Sequence, residues 1–170
     1  MSTITVKELA APTGFDLKIA AGETLDLKSQ GTVTMPAGHI LQVVEGQLTS
    51  NFSTSSTSMV DMGLSVSITP TSTSSKIQVF VNLCGVGISS GDGSLSFKLL
   101  RDSTGIQENT NFNRASLNQY ENYNMMKLDA PSTTSAITYK MQMANRIAAS
   151  IFVNAYSSDD CTITVMEVSG

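Results

Sequence analysis

The sequence predicts an all-β protein, an antiparallel β-sandwich or jelly roll preceded by a short β-rich N-terminal arm. Runs of alternating apolar and polar residues recur along the chain, and turn signals separate them at intervals of about 8–12 residues. No segment carries sustained apolar positions at helical spacing. We expect two parts: an attachment arm or short shaft over residues 1–39 and a jelly-roll head domain over residues 40–170.

The arm contains a short internal echo. FDLKI (residues 15–19) is followed by LDLKS (residues 25–29), a spacing of about ten residues that suits a strand and a turn. One interpretation is a simple hairpin or meander that turns at Ala-Gly-Glu (21–23). The other is one rung per half of an intertwined shaft or docking arm in an oligomer, because so small a meander buries little by itself. Both interpretations stay open.

The head is organised around residues 64–83, two strands with period-two patterns joined by a polar turn. Side chains of a strand point to opposite faces in turn, so each of these strands has one face suited to a core. Pro70 and the Ser/Thr run after it suit a strand end and a loop. The core-facing residues are predicted to be Leu64, Val66 and Ile68, then Ile77, Val79, Val81 and Leu83.

Other strands complete a set of roughly eight. Residues 40–45 are predicted as the first, followed by a Ser/Thr-rich loop over 46–58. In the last but one we expect Ile147, Ile151 and Val153 to share a face. The stretch 105–124, rich in Asn and Gln, is expected to be the least regular part of the head. The remaining strands are predicted at residues 94–102, 123–128, 136–144, 147–156 and 161–168.

Composition favours an oligomer. Hydrophobic residues make up 41% of the chain and charged residues 14%, against about 25% charged residues in ordinary soluble domains. Interface cores are depleted in charge, so a subunit that buries much of its surface against copies of itself fits this composition.

Charge and hydropathy exclude two classes of partner. The net charge is -4 and Lys and Arg are scattered singly, whereas nucleic-acid binding needs clustered cations. The N-terminus does not resemble a secretory signal, and no apolar run approaches the roughly 20 residues that cross a bilayer. We expect synthesis in a cytoplasm, with no membrane insertion.

No catalytic, cofactor or metal site is predicted. Residues 87–91 match G-x-S-x-G, but that motif needs a strand turning into a helix, and the residues after it predict a strand. His39 is the sole histidine and lies upstream, and no ligand set with metal spacing exists. Cys84 and Cys161 are interpreted as buried free thiols rather than a disulfide.

One stretch has the chemistry of a binding surface. Residues 111–123 mix aromatic rings with amides and one guanidinium, a combination that suits a sugar. The alternative is that the aromatic residues only anchor a long loop onto the sheet. The candidate receptor-binding residues are Phe112, Arg114, Tyr120 and Tyr123.

The head resembles a known class of proteins. The runs GHILQVVEG, MVDMGLSVSITPTSTSSKIQVFVNLCG, FKLLRDSTGI and ITVMEV, over residues 38–168, resemble virion proteins of marine and freshwater bacteriophages. These are often labelled tail-fibre or head-fibre proteins, particularly in phages of cyanobacteria. The most specific part is D-x-G-L-x-V-x-I-T-P-x-S-x-x-S-K-I, over residues 61–77.

The resemblance implies a homotrimeric jelly-roll knob, similar to the tumour-necrosis-factor and C1q head domains. It would stand on a capsid or tail in the virion and dock through its N-terminal arm to another virion protein. With 39 residues for a shaft, a compact knob, decoration protein or short fibre tip is favoured over a long fibre. A host-receptor adhesin that binds surface glycans is the alternative, and an enzyme such as a capsule depolymerase or esterase is a more distant one. Candidate core or trimer-interface residues are Tyr139, Met141, Phe152 and Tyr156.

Overall fold

The computed structural model describes residues 21–22, 35–88, 93–114, 120–147, 150–154 and 160–170. The chain divides into two compact units, residues 1–34 and residues 35–170, and all strands given below belong to the second. Of the predicted arm, a turn at Ala21–Gly22 and the segment 35–39 are described. The predicted hairpin or shaft lies outside the described residues.

The described part of the chain is all-β, with ten strands and no helix. The strands are β1 (Ile40–Leu48), β2 (Phe52–Thr54), β3 (Val60–Ile68), β4 (Lys76–Ile88), β5 (Gly93–Arg101), β6 (Thr104–Arg114), β7 (Glu121–Asp129), β8 (Ile137–Asn145), β9 (Ile151–Val153) and β10 (Cys161–Val168).

The strands form two antiparallel sheets. Sheet I has the order β1-β10-β4-β7, and the short strands β9 and β2 extend it beside the C-terminal end of β4. Sheet II has the order β3-β8-β5-β6. Eight strands remain when β2 and β9 are left out. Numbered 1 to 8 along the chain, they have the order 1-8-3-6 in sheet I and 2-7-4-5 in sheet II. This wrapped order is that of a jelly roll, which confirms the predicted fold class.

The core lies between the two sheets, and the predicted central pair supplies much of it. Every predicted core-facing residue of β3 and β4 is buried, and the residues between them are exposed or half-buried. Although β3 and β4 follow one another along the chain, they lie in different sheets, so their apolar faces meet across the core.

Three expectations about the head were wrong. The stretch expected to be least regular contains the eleven-residue strand β6, which pairs with β5 although its Asn- and Thr-rich sequence has no apolar alternation. Ile147, expected in the core, is 57% exposed in a turn, and the strand after it is limited to β9. The predicted loop over 46–58 also holds the end of β1 and the short strand β2.

The sheets approach each other closely at the β1 and β3 side. A side-chain carbon on Gly46 would overlap the carbonyl oxygen of Ser65. Glycine therefore allows the backbone of an edge strand of sheet I to contact an edge strand of sheet II.

The sandwich has two distinct ends because its long strands are antiparallel. At one end, the entry end, the chain enters β1 beside its own C-terminal residues. There Ser169 accepts a hydrogen bond from Gly38 N at 2.8 Å and donates one to His39 O at 2.8 Å. At the opposite end, the far end, strands β1, β4, β6 and β8 end.

Candidate functional site

The outer faces of the two sheets differ in charge. The outer face of sheet II carries ion pairs: Lys140 Nζ lies 2.8 Å from Asp61 Oδ2, and Lys98 Nζ lies 3.3 Å from Glu108 Oε2. Hydrogen bonds from Lys140 and Gln142 lower the pKa of Asp61. This face is therefore typical of a solvent-exposed surface.

Sheet I presents apolar side chains on its outer face instead. Residues directly opposite each other on antiparallel strands lie on the same face. One such row runs from Val43 through Met166 and Gln78 to Leu128, and the next runs from Glu45 through Thr164 and Phe80 to Met126. We call Val43, Phe80, Met126, Leu128 and Met166 the outer apolar patch.

The exposure of this patch is high for apolar side chains. Met126 is 65% exposed, Val43 55%, Leu128 50% and Phe80 37%. Of the outward positions on β1, β10, β4 and β7, those with a charge are Glu45 and Lys76. Several exposed apolar side chains on one face, with little charge among them, are typical of a protein contact.

Towards the far end, the same face becomes polar and uncharged. Gln47, Thr162, Asn82 and Asn124 lie opposite one another across the four strands. Three of these four residues have an amide side chain, and we call the set of four the amide row.

An aromatic pair lies beyond the amide row. The rings of Tyr120 and Phe152 have centroids 5.6 Å apart and are tilted by 44°. Phe152 lies opposite Gly87, which has no side chain to separate the two rings. Tyr120 is 42% exposed, so the pair is accessible at the far end.

The predicted receptor-binding residues have different surroundings. Tyr120 belongs to the aromatic pair, whereas Tyr123 is half-buried and stacks on the buried ring of Phe97, with centroids 4.5 Å apart. Burial raises the pKa of Tyr123. Phe112 and Arg114 lie in β6, with backbones opposite Leu95 and Gly93, and their side chains are outside the described residues.

The predicted core or interface residues also differ in their surroundings. Tyr139 and Met141 are fully buried in the core of the head. Phe152 is half-buried on the outer face beside Tyr120. Tyr156 lies outside the described residues.

Sequence reasoning missed the outer apolar patch. Its signal was present in β7, where Met125 and Met126 are adjacent and Leu128 follows, so both faces of that strand carry apolar residues. Met125 is buried, whereas Met126 and Leu128 point outward. An apolar residue on the second face of an antiparallel strand indicates a second contact surface.

The two cysteines are free thiols on neighbouring strands of sheet I. Cys161 is buried in the core, and Cys84 is half-buried. The amide N–H of Cys84 donates to Cys161 Sγ at 3.3 Å, and Asn82 Nδ2 donates to Cys84 Sγ at 3.2 Å. Each thiol therefore has its own polar contact.

The described residues offer little for catalysis or metal binding. The G-x-S-x-G match begins in β4 and is followed by β5, another strand, so it lacks the helix that a nucleophile elbow requires. Ser89 itself is outside the described residues. Within the described ranges, no three His, Cys, Asp or Glu side chains come together as a metal site requires. The same ranges contain no helix with the length and apolarity needed to span a membrane.

Comparison with known proteins finds distant likenesses in structure. No protein-family model and no curated protein matches the chain. A solved infectious bursal disease virus VP2 subviral particle aligns with 87% of this chain and 42% of its own, at 10% identity and a TM-score of 0.46. A Stig cyclase from Fischerella sp. TAU aligns over 66% and 56% of the two chains, at 13% identity and a TM-score of 0.39.

A disulfide-linked pilus protein of Bacillus endospore appendages aligns over 82% of this chain and 99% of its own, at 9% identity and a TM-score of 0.31. The chain thus spans about half of the cyclase and less than half of the viral protein. Likeness at this level carries no conclusion about function.

Proposed function

We propose that this chain is a non-enzymatic structural protein of a bacteriophage virion. In this proposal, the jelly-roll heads form a homotrimeric knob or short fibre, and residues 1–39 dock it to a capsid or tail protein. The protein is made in the host cytoplasm and resides in the particle. The sequence resemblance of residues 38–168 to phage virion proteins supports the class of protein.

The observation that carries the proposal is the outer apolar patch. Three side chains of the patch, Val43, Met126 and Leu128, are half or more exposed in one chain. A second copy that covers them removes this surface from water, and burial is worth about 25 cal/mol per Å². The ion pairs on the outer face of sheet II mark the opposite surface as the one left in solvent. An assembly that covers sheet I and exposes sheet II agrees with both surfaces.

A closed ring of three copies explains how one patch can serve an assembly. In a cyclic oligomer each copy offers its patch to a different surface of the next copy, and the ring leaves no patch uncovered. A twofold dimer would instead place patch against patch. The two arrangements differ in mass, so they are separable in solution.

Light scattering on the full-length protein tests this proposal. We expect three times the 18.0 kDa of one chain. Met126→Lys combined with Leu128→Lys should give monomers, because two desolvated charges at the interface oppose assembly. Ser67→Lys combined with Thr110→Lys, two exposed positions on sheet II, is the matched control and should keep the trimer mass. A monomeric or dimeric wild-type protein would contradict the trimer.

A second candidate function is host attachment through surface glycans. The exposed aromatic pair at the far end supports it, since that end is opposite the one at which the chain enters the head. Labelled protein should bind host cells or their purified envelope glycans, and Tyr120→Ala should weaken attachment while the mass stays trimeric. Equal attachment of the variant would reject this role. Turnover of a host polysaccharide by the protein would instead favour the enzyme alternative.

A further inference from the structure

The far half of the outer face of sheet I is polar, and the charged side chains that border it, Glu45 beside Gln47 and Glu121 beside Tyr120, are acidic. The amide row crosses all four strands, and Asn122 continues it along β7 towards the aromatic pair. None of the outward strand positions in this half is charged. The exposed Asp160, just before β10, adds a negative charge at the same end.

The side chains of this surface combine the two features that a sugar needs. Each Asn or Gln amide has two N–H donors and an acceptor, which match hydroxyl groups that also donate and accept. Gln47 and Asn82 each use one donor within the protein, towards Glu45 Oε1 and Cys84 Sγ, and keep the other. The rings of Tyr120 and Phe152 provide an apolar contact for the C–H face of a pyranose. Both features lie on one face of one sheet. Tyr120 precedes Asn124 by four residues, about 13 Å along an extended strand, so an oligosaccharide of two or three units can reach both.

The charge of this surface selects among ligands. Phosphate, sulfate and carboxylate groups are bound through Arg and Lys, and the outward strand positions here have neither. Asp160 further disfavours an anion. An uncharged, hydroxyl-rich ligand is therefore preferred over an acidic polysaccharide or a nucleic acid.

We propose that the amide row, Asn122 and the Tyr120–Phe152 pair form a binding site for a neutral saccharide. This proposal rests on the second candidate function above and names its ligand class and its location. The site is separate from the outer apolar patch, which lies towards the entry end of the same face. Assembly through the patch leaves the far half to the ligand.

Saturation-transfer NMR on the full-length protein tests the site. The probes are oligosaccharides of two or three units of glucose, galactose, mannose or N-acetylglucosamine, with those of glucuronic acid as the anionic comparison. We expect transfer to the ring protons of at least one neutral sugar, with dissociation constants of about 1–10 mM. Tyr120→Ala and Asn124→Ala should each weaken binding at least about fivefold.

The controls separate this site from the rest of the protein. Thr110→Ala, an exposed position on β6, should bind like the wild type, and Tyr120→Phe should retain most of the binding because the ring remains. The mass of every variant is measured in parallel. If Asn124→Ala dissociates the assembly, the amide row belongs to the contact between copies and the proposal is overturned.

Three other results would also overturn it: no transfer to any neutral sugar, transfer to glucuronic acid alone, or transfer that Tyr120→Ala and Asn124→Ala leave unchanged. Host attachment is measured separately on whole cells. Cells that bind the protein when no neutral sugar does would overturn the saccharide site and leave host attachment standing, and the trimer is tested by the mass alone.

Discussion

Glu167 is a carboxylate on the core-facing side of β10, in the same alternation as Cys161, Ile163 and Val165. It is fully buried, yet it accepts hydrogen bonds from Gln42 Nε2 at 2.6 Å and from Thr71 N at 2.7 Å. Burial by itself would raise the pKa of Glu167, but the hydrogen bonds outweigh burial and lower it. The charged side chain thus links β1, β10 and the connection between β3 and β4.

The stability of the head should therefore depend on pH in the acid range. Because the pKa of Glu167 is lowered by folding, its contribution is present above the ordinary value of 4.5 and is lost as the pH falls through the folded value. Glu167→Gln should cost about 1–3 kcal/mol at neutral pH, since its NH₂ group would face other donors. It should also reduce the decline of stability in acid. Urea unfolding from pH 7 to pH 3 measures both effects, and an unchanged acid decline would contradict this role.

A second buried polar contact joins the two sheets. Asp129, at the end of β7 in sheet I, accepts from Arg101 Nη1 at 2.8 Å and from the hydroxyl of Tyr139 at 2.7 Å. Arg101 and Tyr139 belong to sheet II. Burial, followed by the nearby Asp129 carboxylate, raises the pKa of Tyr139, so its hydroxyl stays a donor. Tyr139 is therefore part of the internal structure of one head rather than of its surface.

At the scale of elements, the contact between β1 and β3 depends on Gly46. Gly46→Ala should cost about 3 kcal/mol or more, because its new carbon would overlap the Ser65 carbonyl and only a backbone shift can relieve that. Gly105→Ala is the matched control. There the new carbon meets the end of the Lys98 side chain, which can move away. Equal unfolding free energies for the two variants would contradict a close approach of the β1 and β3 backbones at Gly46.

Tyr120, just before β7, and Tyr123, within it, were predicted to share one binding surface but should differ in their contribution to stability. Tyr123→Ala should cost about 2–3 kcal/mol because its half-buried ring stacks on Phe97. Tyr120→Ala should change the unfolding free energy by no more than about 0.5 kcal/mol, as expected for an exposed side chain. Thermal and urea unfolding of both variants measure the difference. A larger loss for Tyr120→Ala would mean that the aromatic pair is structural.

At the scale of the whole molecule, the outer apolar patch links folding to assembly. If copies cover the patch, association stabilises the folded state and the melting temperature should rise with protein concentration. A hundredfold increase should raise Tm by about 5 °C. The Met126→Lys, Leu128→Lys variant should lose this dependence. Calorimetry across the concentration range measures it, and a constant wild-type Tm would argue against assembly through the patch.

The sequence by itself determined the class of the fold and much of its core. Alternation in β3 and β4 identified their buried residues, because side chains of a strand face opposite sides in turn. The Asn- and Thr-rich strand β6 was not predicted, since its pairing with β5 rather than its own pattern makes it a strand.

Only the tertiary structure decided which strands are neighbours, and therefore which side chains share a surface. A period-two pattern carries no register and no partner, so sequence alone cannot place Val43 beside Met166 or Asn82 beside Asn124. It also cannot predict that Tyr120 and Tyr123 have different surroundings. Tyr123 stacks on Phe97 across the core, whereas Tyr120 contacts Phe152 across Gly87. The outer apolar patch and the amide row exist only once the strands from distant parts of the chain pair.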